Sequence, residues 1–474
     1  MNLRSSVIKG VKWTTIATVT LAICGILKIS ILTRFLDKED FGLMALVNFV
    51  LGFITLFMDM GITSAILHKQ SIRKQEYSSL YWFNLIFSIF LFVLLNTISS
   101  WLASFYEEPE LRNLVYLISF AIIISAFGRQ FKTILQKEMH FKTVAIIDII
   151  SILMSLILAI FLAVADFGVY SLVFSALFQF MLSNMLFFLW GNRIQKLSFH
   201  FNFGETKPFL KIGIYQVGGQ IINYFNRDID ILIIGKFFGA EILGGYSLAK
   251  QLVRKPLGII DTIYLSVAMP VLPRFQNDTS ALKNYFIKLI KGLSIVNSAI
   301  YGIFIIAAPL IINIFYGNEY LNIVPFFRIL AIIVYFRSVS GLVGVLAITK
   351  GRTDVDFYWN LIILILLPIV ILIGANYGII EVIWAMAITQ MALMIPLWFM
   401  FYKRLLAMSL MVYLKALFVP FLIVVVCYSF YSLMGNENVI VQIIFSLFLF
   451  LSLALYTIKT ETTFKEYLNR KLKR

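Results

Sequence analysis

The segment Asn223–Ala249, NYFNRDIDILIIGKFFGAEILGGYSLA, determines the architecture, because the N-terminal region carries a diverged copy of its second half. Residues 33–46, TRFLDKEDFGLMAL, align without a gap on residues 235–248, GKFFGAEILGGYSL, at an offset of 202 residues. The matched pairs are Arg34 with Lys236, Phe35 with Phe237, Glu39 with Glu241, Gly42 with Gly244, and Leu46 with Leu248. A fixed internal period of this kind predicts two homologous halves.

The same offset relates charged residues that lie in apolar surroundings. Asp59 falls on Asp261, and Lys28 falls on Asp230. An acid matched with an acid inside an apolar run is harder to obtain by chance than a match between two apolar residues. The repeat therefore extends well beyond the aligned segment.

Composition excludes a soluble globular protein. The 474 residues have a mean hydropathy of +0.91, are 61% apolar and are only 14% charged, against about 25% charged in soluble domains. We predict an all-α membrane protein with no soluble domain. The two cysteines lie in apolar runs and the three histidines are far apart, so no disulfide, metal or organic cofactor is expected.

Apolar stretches long enough to cross about 30 Å of hydrocarbon predict about fourteen spans. They lie near residues 11–36, 41–66, 80–104, 114–136, 143–165, 168–190, 210–236, 242–265, 289–315, 324–349, 357–376, 379–401, 411–433 and 438–458. Because 202 residues correspond to six spans, the halves are expected to be parallel repeats. We predict an N-terminal lobe over 1–209, a C-terminal lobe over 210–404, and two further spans with a basic tail over 405–474.

Lysine and arginine are distributed unequally between the two sides. Connections on the N-terminal side are rich in cations, among them Lys69, Arg129 and Lys350, while the opposite connections are acidic, with Glu108 and Glu319 as examples. The positive-inside rule then predicts that both termini are cytoplasmic. This distribution accounts for most of the net charge of +16, so nucleic-acid binding is not needed to explain it.

Span 8 (242–265) carries more charge than lipid exposure allows. A charge near the centre of a span costs about 2.5–3.5 kcal/mol, while a leucine returns only about 0.3–0.6 kcal/mol. Lys250 and Arg254 are four residues apart and Asp261 follows seven residues later, so the three share one helical face. In span 7, Arg227 and Asp230 can also share a face. These residues must face water, an anion or one another, and internal pairing remains the structural alternative.

Several motifs resemble the Wzx-type polysaccharide flippases, the polysaccharide transporter family of the multidrug/oligosaccharidyl-lipid/polysaccharide exporter superfamily. They are the segment 226–249, AMPVLPRF at 268–275, APLIINIFYGNEY at 308–320, and ILTRFLDKEDFGLMAL at 31–46. The resemblance covers essentially the whole chain. It implies a two-lobed bundle in a bacterial cytoplasmic membrane that moves an undecaprenyl-diphosphate-linked oligosaccharide by alternating access, with glycan-assembly proteins as candidate partners.

Under this resemblance, Arg254 and Lys250, with Lys28 and Arg227, are the candidate ligands of the diphosphate. Related flippases use basic residues on spans 1 and 8, which Lys28, Lys250 and Arg254 match in type. Asp59 stands where a basic residue is expected in span 2. That departure weakens any assignment of site residues by analogy with the peptidoglycan-precursor flippases.

The acids suggest gating or ion coupling. We hypothesise that Lys28 and Asp230 pair in one access state, and that Asp59 and Asp261 couple transport to H⁺ or Na⁺. A fixed partner for a nearby cation is the alternative for both aspartates. The alternative functions are a multidrug antiporter of the same superfamily and a membrane-embedded glycan polymerase or ligase. Short acidic outer loops argue against an enzyme, and the basic span 8 argues against a pump for organic cations.

Overall fold

The computed structural model describes residues 3–59, 61–69, 71–434 and 438–460. All regular secondary structure in these ranges is helical. The first part of the chain contains α1 (Leu3–Leu32), α2 (Lys38–Asp59), α3 (Ile62–His68), α4 (Lys74–Tyr106), α5 (Pro109–Lys137), α6 (Phe141–Val164), α7 (Tyr170–Ile194) and α8 (Phe203–Val271).

The second part of the chain follows a 3₁₀ turn at Leu272–Phe275. Its helices are α9 (Thr279–Ile306), α10 (Ala308–Tyr316), α11 (Val324–Ser340), α12 (Leu342–Thr349), α13 (Thr353–Ala375), α14 (Ile379–Ala392), α15 (Met394–Leu397), α16 (Arg404–Leu406), α17 (Leu410–Leu433) and α18 (Val439–Thr460). A 3₁₀ turn at Asn318–Ile323 precedes α11, and a π-helical turn at Trp398–Lys403 follows α15.

Local sequence explains where several helices begin. At the start of α4 the Glu76 carboxylate accepts a hydrogen bond from the Arg73 backbone N–H at 2.7 Å. At the start of α9 the Asp278 carboxylate accepts one from the Ala281 N–H at 2.8 Å. Both acids satisfy backbone donors that the first turn leaves without partners. Pro109 opens α5, where its missing N–H costs nothing.

Helix α8 is too long to be a single span. Its 69 residues would extend about 100 Å at 1.5 Å per residue, and its membrane candidate, Val217–Phe275, covers 59 of the described residues. Gly239 interrupts it with φ 75° and ψ 176°, a conformation that glycine tolerates best. Among the described residues thirteen helical segments are long and apolar enough to cross a membrane. Counting the bent one twice gives the fourteen predicted spans.

The chain divides between Ser247 and Leu248 into two compact units. In the first unit α4 packs on α5, α5 on α7, and α6 on α7. In the second, α9 packs on α11, α11 on α14, and α13 on α14. The same order of helix pairs therefore occurs in both units, as parallel repeats require. Helices α17 and α18 pack on each other and on α9, and they form the predicted additional pair.

A reciprocal glycine contact lies inside the first unit. A Cβ atom added to Gly42 would lie 1.8 Å from the carbonyl oxygen of Ala240, and one added to Gly244 would lie 1.7 Å from the carbonyl oxygen of Lys38. Lys38 and Ala240 are themselves related by the 202-residue offset. The start of α2 and the segment after Gly239 thus pack backbone against backbone. The contact is reciprocal, because Gly42 and Gly244 are repeat-related and so are the two residues that they touch, Ala240 and Lys38.

Candidate functional site

Asp59 ends α2 in the first unit and lies beside α3 and α5. Its carboxylate accepts a hydrogen bond from the Thr63 hydroxyl of α3. The guanidinium of Arg129, on α5, is close enough to interact with its charge, and Arg129 also donates to the Thr55 carbonyl oxygen at 3.5 Å. An aspartate at the end of one span therefore faces an arginine from another.

Asp261 occupies the repeat-related position in the second unit. Arg254, two turns earlier on α8, and Arg337, on α11, both interact with its charge. The Tyr264 hydroxyl donates a hydrogen bond to its carboxylate. Tyr301 of α9, a buried residue, lies near both Arg254 and Asp261. The structure thus brings Arg254 and Asp261 together, in agreement with their spacing in the sequence.

Lys250 lies one helical turn before Arg254 and is 8% exposed. Its neighbour Lys255 is half-buried. Burial of a lysine on the same helical face as Arg254 gives this part of α8 a second cation close to the first. This is the basic pair that the sequence predicted as ligands of an anion.

Lys28 projects from α1 into the first unit. Its ammonium donates to the Ser175 hydroxyl of α7 at 2.7 Å and to the Ser155 hydroxyl of α6 at 3.3 Å. Both serines are fully buried, so the ammonium is held by neutral oxygen atoms that belong to two other helices. These two hydroxyls fix the position of Lys28 in this structure.

Asp230 and Arg227 lie on the part of α8 that precedes the bend. Asp230 is 4% exposed and accepts a hydrogen bond from the Tyr246 hydroxyl, which lies beyond Gly239 on the same helix. The Arg227 Nε donates to the adjacent Asp228 carboxylate at 2.6 Å, and its guanidinium lies 5.2 Å from the centre of the Tyr224 ring. Asp230 therefore joins the two arms of the bent helix, and Lys28 and Asp230 have different partners.

Three side chains of the candidate site are not identified by the sequence pattern. The charge distribution of the sequence assigns Arg129 to a basic connection. In the structure it lies on α5, within a candidate span. Arg337 and Tyr264 receive no role from spacing alone. The contacts of the two arginines with Asp59 and Asp261 join helices that are distant in sequence, and helical spacing detects only neighbours on one helix.

An apolar groove runs along α17 and α18 in the second unit. The cavity measures about 810 Å³. Its lining includes Leu422, Val426, Phe430, Ile444, Phe445 and Phe448. Several of these side chains are more than half exposed, so the groove opens on the outside of the unit and suits a hydrocarbon chain.

The chain is similar to known proteins over most of its length. A family model described as "Polysaccharide biosynthesis protein" matches residues 31–325. The chain belongs to this family. Two curated relatives are similar to this chain over most of their length. The lipopolysaccharide biosynthesis protein WzxC of Escherichia coli (strain K12) is 27% identical, and the match covers 89% of this chain and 86% of WzxC. The teichuronic acid biosynthesis protein TuaB of Bacillus subtilis (strain 168) is 29% identical, and the match covers 89% of this chain and 87% of TuaB.

The fold also matches a solved transporter. The lipid II flippase MurJ, in an inward closed conformation, superposes with a TM-score of 0.75 at 17% identity, over 94% of this chain and 98% of its own. These findings confirm the family resemblance and the polytopic helical architecture predicted from the sequence. They also confirm that the chain is an integral membrane protein.

Proposed function

We propose that the protein moves an undecaprenyl-diphosphate-linked oligosaccharide, an O-antigen, capsule or exopolysaccharide repeat unit, across a bacterial cytoplasmic membrane by alternating access. The family and the flippase fold support this proposal. The observation that carries it is the basic stretch of α8, where Arg254 lies beside Asp261 and next to the buried Lys250.

The diphosphate is the group that these cations suit. A guanidinium can hold a phosphate with two parallel hydrogen bonds, whereas an ammonium contributes a point charge. We assign the first role to Arg254 and the second to Lys250, with Lys28 and Arg227 as further candidate ligands. The apolar groove of α17 and α18 has the chemistry required by a polyprenyl tail, which would stay in hydrocarbon while the headgroup crosses.

Asp261 gives the site a means of ion coupling. A carboxylate and a diphosphate would compete for the Arg254 guanidinium, because each is an anion that accepts its N–H groups. Protonation of Asp261, or its binding of Na⁺, would release Arg254 toward the substrate, and loss of the cation would favour substrate release. Asp59 would respond in the same way through Arg129 in the first unit.

The proposal includes a topology with both termini in the cytoplasm. It rests on the lysine and arginine asymmetry of the connections. The connections after α3, α5 and α7 meet at one end of the first unit, where Lys69, Lys137 and Gln195 line one cavity. These connections follow the second, fourth and sixth spans, so that topology expects all three on the same side of the membrane. Their common location agrees with this expectation.

Substitutions at Arg254 test the function. In cells that lack the native gene, transport of the lipid-linked oligosaccharide should fall in the order Arg254→Lys, Arg254→Ala, Arg254→Glu. The alanine variant should lose about tenfold or more, since a hydrogen bond to a charged group contributes about 1.5–3 kcal/mol. Protein abundance in the membrane is measured in parallel.

Lys255→Ala is the matched control, because Lys255 adjoins Arg254 in sequence but turns off its helical face. Transport should survive this change. Equal transport by Arg254→Glu and the parent protein would refute the diphosphate site. Export of organic cations by the parent would instead establish a drug antiporter.

A further inference from the structure

A polar cavity, distinct from the α8 site, lies at one end of the first unit. It measures about 610 Å³, within the range of small-ligand pockets. Its polar lining is Lys69, Ser71, Arg73, Glu76, Tyr77, Lys137, Glu138 and Gln195. These residues come from the connections that follow α3, α5 and α7 and from the start of α4, so four elements build it.

Hydrogen-bond donors outnumber acceptors in this cavity. Lys69 donates to the Glu76 carboxylate at 2.8 Å, and Lys137 donates to the Lys69 carbonyl oxygen at 2.6 Å and to the Tyr77 hydroxyl at 3.4 Å. Each ammonium has three donors, so both retain capacity beyond these bonds. The Glu76 carboxylate is already engaged, since it also accepts from the Arg73 backbone N–H.

Two further residues of the cavity lining, Gln195 and Arg73, carry donors. The Gln195 Nε2 atom is buried and has no hydrogen-bond partner among the residues that the structure describes, an arrangement that is costly unless a ligand or water accepts from it. The Arg73 side chain is 74% exposed, and its Nη2 atom lies 3.7 Å from Glu76, so the guanidinium is only loosely held. A ligand that satisfies both groups must present several acceptor oxygen atoms and negative charge.

Exposed aromatic residues near the cavity favour a location at the depth of lipid headgroups. The segment that continues from Gln195 exposes Phe199, Phe201 and Phe203, and Phe199 is 98% exposed. Trp82 stacks on Phe199 at 5.5 Å and donates its indole N–H to the Ser198 carbonyl oxygen at 3.0 Å. Aromatic side chains gather at the boundary between hydrocarbon and headgroups, where basic pockets hold anionic lipids.

We propose that this cavity binds a phosphate group, with Arg73, Lys137 and Gln195 as its ligands and with the headgroup of an anionic phospholipid as its source. Arg73 holds two phosphate oxygen atoms, Lys137 supplies charge, and the Gln195 amide donates to a third oxygen atom. The site does not depend on what the protein transports.

Lipid titration of the purified full-length protein tests the site. Phosphatidylglycerol and phosphatidylcholine are added separately to protein in detergent, and bound lipid is counted by native mass spectrometry. We expect saturable binding of phosphatidylglycerol. Arg73→Ala should weaken it about tenfold or more, while Lys74→Ala, a neighbouring exposed cation outside the cavity lining, should leave it unchanged.

Gln195→Leu provides a second variant that keeps all the cations, and it should also weaken binding. Inorganic phosphate and glycerol 3-phosphate are added as soluble competitors. Displacement of the lipid by millimolar inorganic phosphate, with the same loss in Arg73→Ala, would retain the phosphate site but assign it a soluble ligand. Equal binding of the two lipids, or equal losses in Arg73→Ala and Lys74→Ala, would refute it.

Discussion

Asp59 and Asp261 occupy equivalent positions in the two halves, yet their surroundings differ. Asp59 faces one arginine, Arg129, and accepts from a threonine. Asp261 interacts with two arginines, Arg254 and Arg337, and accepts from a tyrosine. The arginines on α5 and α11 come from helices that correspond in the two units, so the repeat preserved a contact between an acid and an arginine. Arg254 is the addition, and it distinguishes the second unit.

This difference shows how a duplicated site can acquire a specialised role. In the first unit an acid and an arginine suffice to join two helices. In the second unit the additional arginine lies on the same helix as Lys250, where we place the diphosphate. Under the proposed function, the first site would contribute more to structure than to coupling, and the second would connect structure with substrate.

The largest expected effect is on the free energy of unfolding, which should distinguish the two aspartate sites. Arg129→Gln removes the cation that faces the half-buried Asp59 and should destabilise the protein by about 2–3 kcal/mol. Arg337→Gln should cost only about 1 kcal/mol, because Arg254 still faces Asp261. Thermal unfolding in detergent measures both. Asp59→Asn combined with Arg129→Gln should recover much of the loss, and a double variant no more stable than Arg129→Gln would show that the pair is not coupled.

An intermediate effect is expected on energy coupling. Asp261→Asn removes the anion that competes for Arg254, so transport should lose its dependence on the H⁺ or Na⁺ gradient. Asp59→Asn should reduce that dependence less, since α2 carries no proposed ligand of the diphosphate. Transport into membrane vesicles with and without an imposed gradient gives the comparison. Full gradient dependence in both variants would exclude the two aspartates as coupling sites.

The smallest expected effect concerns Lys28 and Asp230, the repeat-related residues of opposite charge. Lys28 is held by Ser155 and Ser175, and Asp230 by Tyr246. We expect the exchange Lys28→Asp with Asp230→Lys to show a coupling energy below about 0.5 kcal/mol, as for independent sites. Transport assays of the two single variants and the exchange measure it. Recovery of transport in the exchange would establish the gate that the sequence suggested.

The number of spans and the repeat could be predicted from the sequence because both depend on local information. Hydropathy marks each span, and the ungapped match of residues 33–46 with 235–248 gives the offset. The bend at Gly239 falls in the interval left between the seventh and eighth predicted spans. The positive φ of this glycine explains why the helix breaks at that residue.

The candidate site was only partly predictable. The shared face of Arg254 and Asp261 follows from helical spacing, whereas the approach of Arg129 to Asp59 depends on how α5 packs against α2. The cavity around Lys137 and Gln195 likewise depends on loops that are distant in sequence. Such contacts are set by packing between helices, which periodicity along one helix does not describe.

The contact between Gly42 and Gly244 has a consequence for the origin of the chain. Gly42 meets Ala240, and Gly244 meets Lys38, the counterpart of Ala240. Reciprocity of this kind defines an isologous interface, in which residue i of one copy touches residue j of the other and the reverse also holds. A homodimer of a half-length ancestor would use the same surface. Fusion of two such copies into one polypeptide would make that surface internal and would let each copy change separately, as the difference between Lys38 and its counterpart Ala240 illustrates.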